Sequence, residues 1–310
     1  MRGFKLLAVG FLLVYPALSL ADARDVPGSA SWYFYVDLEQ MRAGGPGKAV
    51  YDWLRDEVMA EVKDDSGLDI EREVDRLIAY SMDDDQGVLV VEGNFSQTTR
   101  DIAMAFIASG GDINPLKSSG KTYFRYAGND ENDEEVAYDA GNIKFQIDGL
   151  KKESYISTDV RNKIIVTASE GQMQELLASN GKIPGRGGRK GALMVLSAEK
   201  ALVQAGMRAS ALGADAWDSN VLKNTEQAAL LIAATADKLA IEAQLTTIEA
   251  DMAESLASVV RGLISLASFS DDTDAETLAV LRGTRVESKG NSLTVSVAID
   301  PGLVVATLRD

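Results

Sequence analysis

Five acidic side chains, Asp130, Glu131, Asp133, Glu134 and Glu135, crowd the stretch after Gly128. Oxygen-rich clusters of this kind are what a hard cation such as calcium binds, so the run is a candidate calcium site, the one cofactor the sequence suggests. The EF-hand pattern of a central glycine and a closing glutamate is missing, and a solvated loop tip is the ordinary meaning of such a charge run. A second kind of chemistry needs two carboxylates across a glycosidic bond. Glu92 and Glu242 are the pair to consider, because each closes a β-rich run just before a helical one.

A third constellation is basic. Lys182, Arg186, Arg189 and Lys190 lie within the glycine-rich stretch Gly181–Gly191, where a flexible backbone would let four cations grip an anion or an acidic partner surface. Gly120-Lys121-Thr122 and Gly47-Lys48 end like phosphate-binding loops. Pro115 and Arg42, however, occupy the positions of the first glycine, and Ala49 replaces the magnesium-binding hydroxyl. Residues 123–126 read as a strand rather than the helix whose N-terminus would hold the phosphate.

The chain contains neither histidine nor cysteine. Imidazole bases, thiol nucleophiles, histidine-activated serines, soft-metal ligand sets and disulfides are therefore all excluded. The formal charge is −16, which disfavours nucleic acid and anionic lipid as partners. No later segment is long and apolar enough to span a bilayer.

The first residues read as an export signal: Arg2 and Lys5, then an apolar stretch from Leu6 to Leu20, then small residues at Ser19, Ala21 and Ala23. Cleavage near Ala21 or Ala23 predicts a periplasmic or secreted protein with no lipid-modified cysteine and no membrane anchor.

The elements that must position these residues follow from periodicity. Ser31–Asp37 is β-branched and aromatic, and residues 48–62 carry apolar side chains at helical spacing. Arg76–Met82 and Val88–Glu92 form a strand pair across Asp83–Gly87, and Ser96 caps a helix over Gln97–Ala108. The second half repeats this order, with strands at Leu193–Ser197, Ala228–Ala234 and Lys238–Leu245 and a long helix from Thr247 to about Ala267. Matching residues lie 160 apart at the first strands, 150 at Glu92 and Glu242, where Ser96 aligns with Thr246, and 130 at the last strands.

The expected fold is α+β: two tandem βαββαβ-like modules of ferredoxin-like layout, each an antiparallel sheet with helices on one face, the first with extra hairpin strands. The boundaries are a signal at 1–23, an acidic module at 24–180, a linker at 181–191 and a second module at 192–310. The helical face of Met252, Leu256, Val259, Val260, Leu263 and Ile264 is expected in the core. With no convergent catalytic set, the functional expectation is an exported, non-enzymatic binding protein of the bacterial cell envelope, its partner an envelope protein or a small ligand. An acid-pair hydrolase of an envelope polysaccharide and a calcium-dependent envelope protein are the alternatives.

Overall fold

The computed structural model describes residues 30–60, 62–63, 69–82, 87–109, 111–128, 137–140, 143–146, 153–183, 191–199, 224–270 and 274–309. The strands of the first half are β1 (Trp32–Asp37), β2 (Val74–Ser81), β3 (Gly87–Gly93), β4 (Gly111–Ser118), β5 (Lys121–Gly128), β6 (Ala137–Ala140), β7 (Ile143–Gln146), β8 (Glu153–Val160) and β9 (Lys163–Thr167). Those of the second are β10 (Ala192–Glu199), β11 (Thr225–Thr235), β12 (Lys238–Thr247), β13 (Arg285–Lys289) and β14 (Ser292–Ile299). The helices are α1 (Leu38–Arg42), α2 (Gly47–Leu54, continuing into a π turn at Arg55–Met59), α3 (Ile70–Glu73), α4 (Gln97–Ser109), α5 (Glu170–Ala178), α6 (Ala250–Ser268), α7 (Ala275–Gly283) and α8 (Pro301–Arg309).

Twelve strands form one antiparallel sheet in the order β13-β14-β12-β11-β10-β1-β2-β3-β9-β8-β5-β4, and β6 and β7 pair separately. Both halves of the chain therefore share one sheet, joined where β1 runs antiparallel to β10, with Tyr35 opposite Val195. Outward from that junction the neighbours are β2, β3, β9 and β8 on one side and β11, β12, β14 and β13 on the other. The same plan is read in both directions, with β4 and β5 added as the extra hairpin of the first half. The likeness to the ferredoxin-like plan is one of element order, because here the first strand of each half hydrogen-bonds the second.

The register also corrects one sequence match. From the Tyr35 and Val195 pair, one row of partners runs through Ile78 and Val90 and the other through Leu231 and Glu242. Glu242 thus occupies the position of Val90, and Glu92 that of Gln244. The helices that follow begin 153 residues apart, at Gln97 and Ala250, which puts Ser96 opposite Glu249. Ser96 does cap, accepting from the Thr99 N–H at 3.1 Å, but Thr246 does not. Its neighbour Thr247 instead donates to the Glu249 carbonyl at 2.7 Å, as Thr167 does to Ser169 at 2.8 Å before α5.

Alternation along the strands makes two cores. Tyr33, Tyr35, Ile78, Tyr80, Val90, Ile165, Val195 and Leu231 point to one face, where Met173, Leu176 and Leu177 of α5 cover them. Val36, Val74, Leu193 and Leu239 serve the opposite face, with Leu38 and Met41 of α1, Tyr51 of α2 and, packed against them, Val304 of α8. The expectation of helices on one face holds for α1, α2 and α8. It is corrected by α5, whose apolar residues follow the odd-numbered side chains of β1.

An open sheet presents two edges that invite pairing. At β4 the edge carries Pro115. Counted from the two-residue turn at Ser119 and Gly120, both with positive φ, Pro115 occupies a position whose backbone nitrogen faces away from β5, so no ladder bond is lost and no outward donor exists. At β13 the outward carbonyl of Val286 accepts from the Arg261 guanidinium of α6 at 3.1 Å.

Candidate interaction face

The sequence-selected residues do not converge. Asp130, Glu131, Asp133, Glu134 and Glu135 lie outside the described residues, as do Asp83–Gln86 and residues 1–23. Among the described residues no group of three or more Asp or Glu is placed to hold a metal ion. Lys182 is exposed and its backbone closes the turn after α5, where Gly181 has φ +69 and Ile183 is buried in the core. Arg186, Arg189 and Lys190 are outside the described residues. Gly120-Lys121 belongs to the β4–β5 hairpin, and the Lys121 ammonium donates to the Leu177 carbonyl at 2.9 Å. Gly47-Lys48 opens α2, with Lys48 paired to Asp52 at 2.6 Å.

Glu92 and Glu242 share a sheet face but stand on β3 and β12, with β2, β1, β10 and β11 between them. Five strand steps of about 4.8 Å separate them by roughly 24 Å, far beyond the roughly 5–9.5 Å that glycoside hydrolysis requires. They cannot serve one scissile bond. Glu242 is buried, at 2% exposure.

Glu92 has a structural role that its sequence context hid. Asp37, Arg76, Glu92 and Lys163 are successive partners on β1, β2, β3 and β9, so their charges alternate along one row. Arg76 donates to Glu92 at 3.0 Å and the Lys163 ammonium lies 2.6 Å from its other oxygen. Lys163 also donates to the Gly181 carbonyl at 2.6 Å, and the Tyr35 hydroxyl donates to Asp37 at 3.0 Å. Every acid in the row faces a base, which is the arrangement of a clasp rather than a catalytic pair.

A second polar cluster sits under α5. The Tyr123 hydroxyl donates to Glu170 at 2.6 Å, and the Tyr155 hydroxyl donates to Glu153, which a bidentate Arg125 also holds at 2.9 and 3.0 Å. The Glu153 carboxyl is kept below its ordinary range by Arg125 and then by Tyr155. Tyr155 is pushed up to about 12 by that same carboxylate. These shifts favour a carboxylate that accepts and a phenol that keeps its proton.

Among the described residues, α6 carries an exposed apolar set. On α6, Ala253 and Ala257 are fully buried against the sheet. Arg261 reaches Val286 at the outer edge, and Ser288 donates to Glu254 on the same flank. At 3.6 residues per turn, all three of Val259, Leu263 and Leu266 fall away from Arg261, Leu263 on the flank toward the middle of the sheet and Val259 and Leu266 on the outward side beside it. They are 57%, 60% and 70% exposed, and Phe269 at the helix end is 85% exposed. The strands that Leu263 leans toward offer an apolar row, Phe34, Leu196, Leu230 and Ala243, in which Leu196 is 41% exposed. The core assignment of the α6 face is thus corrected for Val259 and Leu263. Period alone marks an apolar face and not what covers it.

No family model matches the chain, and no curated protein matches it. Among solved structures it is similar to crystal form IV of TP0453, at 10% identity and a TM-score of 0.46, covering 94% of this chain and 98% of that one. Crystal form I of the same protein gives 11% identity and a TM-score of 0.43, covering 92% and 94%.

Proposed function

We propose that this chain is an exported, non-enzymatic binding protein of the bacterial cell envelope, which docks its partner through the free flank of α6. The observation that supports the reading is the run of Val259, Leu263, Leu266 and Phe269, each more than half exposed on a helix whose other flank is already engaged. Isolated exposed apolar residues are ordinary, but a contiguous set on one helix flank marks an interaction site. The charged residues nearest the middle of the molecule are paired among themselves, which fits a scaffold rather than a reaction centre.

The test is photocrosslinking in the native envelope, with a photoreactive residue placed at Leu263 or, as control, at the exposed Asp159 on β8. A discrete adduct at position 263 that is absent at position 159 is expected. Equal labelling at both positions refutes the role of this flank. N-terminal sequencing of the mature protein tests export, with a start at Asp22 or Arg24 expected and an intact Met1 refuting it.

A further inference from the structure

We infer that the α6 flank receives a helical peptide segment that is apolar on one face and carries Lys or Arg beside it. This rests on the docking role proposed above and names the chemistry of the partner. The first support is shape. Val259, Leu263 and Leu266 follow one another at spacings of four and three, which is how a helix meets another helix lengthwise. Beside them Ser255, Ser258, Gly262 and Ser265 keep the surface low, so that a second helix can approach closely.

The second support is charge. At the start of α6 stand the exposed acids Glu249 and Asp251, and beyond its end stand Asp274 and Glu276 at the start of α7. From Gly262 to Ser268 the helix has no charged residue at all. The one base of α6, Arg261, is turned to the opposite flank, where it holds the Val286 carbonyl and Glu254 at 3.3 Å. An apolar strip with acids at both ends and its base turned away is complementary to a strip flanked by cations. The same acids, within a chain of net charge −16, repel an anionic bilayer and a second copy of the chain.

The experiment uses the full mature chain and a fluorescein-labelled 18-residue helical peptide of leucine and lysine, with the leucines on one face. Its counterpart carries glutamate for lysine. Fluorescence anisotropy is expected to show binding of the lysine peptide, at least tenfold weaker binding of the glutamate peptide, and an affinity that falls with added salt. The Leu263→Asp, Leu266→Asp variant should weaken the lysine peptide at least tenfold with an unchanged melting temperature, since both side chains are exposed. The Glu249→Gln, Asp251→Asn variant should flatten the salt dependence. Glu249 makes no side-chain cap bond, so its change leaves the helix start intact.

Equal affinity for both peptides, or a lysine-peptide affinity that the Leu263 and Leu266 changes leave untouched, overturns the inference. So does dimerisation that those changes abolish, or their loss of cosedimentation with phosphatidylglycerol vesicles, which would assign the flank to a second copy or to lipid. Adducts at position 263 without any preference for the basic peptide would overturn the partner class alone and leave the docking role standing.

Discussion

Two tyrosines show how burial and a neighbouring charge translate into a pH response. Tyr80 lies in the core under α5 and is raised to about 12 by burial and then by Glu175, and Tyr155 reaches about 12 through Glu153. The ordinary tyrosine value is near 10, so between about 10 and about 12 the unfolded chain releases protons that the folded chain keeps. The stability these groups contribute is fully present below about pH 10 and is lost as the pH rises through about 12. Thermal melts from pH 9 to 12 should fall steadily over this window, and Tyr80→Phe should make the decline shallower. A decline that is unchanged in Tyr80→Phe would remove Tyr80 from the account. The residue types that enter the clasp and the tyrosine cluster are visible in the sequence, but their pairing is not. Asp37, Arg76, Glu92 and Lys163 are 39, 16 and 71 residues apart along the chain and meet only through register. A carboxylate such as Glu92 looks solvated until the strand that carries Lys163 is placed beside it.

At the scale of elements, period-two runs and caps located β1, β2, β3, β10 and β12 and the α4 helix within two residues. Strand neighbours are another matter. The sequence predicts the β2–β3 hairpin but not the pairing of β9 with β3, which is what brings Lys163 beside Glu92. The start of α6 was displaced because Thr246 resembles a cap, whereas the chain needs Thr247 at the strand end to bond the Glu249 carbonyl before the helix begins. Edge protection is also an element-scale property. Pro115 removes an outward N–H from the exposed side of β4, and Pro115→Thr restores a donor in a strand of eight residues. This variant should fold, with little change in melting temperature, and self-associate at concentrations where the parent stays monomeric. Sedimentation velocity checks this, and an unaltered sedimentation coefficient would show that the edge is protected by something else.

At the scale of the whole molecule, the glycine-rich break at residues 181–191 suggests two bodies, yet the strands on either side of it close into one sheet. The β1–β10 seam carries Tyr35 and Val195 into one core and Val36 and Met194 toward the other, so each half contributes to the interior of its neighbour. Such a seam couples the halves, and guanidinium unfolding followed by circular dichroism and by tryptophan fluorescence should give one coincident transition. Two separated transitions would mean that the seam is weaker than either half. The glycine-rich stretch separates the strands of the two halves along the chain, and local composition carries no information about whether those halves then bond edge to edge.

That central seam also has the geometry of a dimer contact. Two like strands meeting antiparallel about a two-fold axis is the way identical subunits close a symmetric dimer, each offering the same surface to the other. Half-length chains of this plan would bury their first strands only by finding one another in solution, at the mercy of concentration. Joining them end to end makes that encounter intramolecular, with an effective concentration set by the connection and independent of dilution. With the partner strand guaranteed, the two halves need not be alike, and here one carries the β4–β5 hairpin while the other exposes a flank of α6.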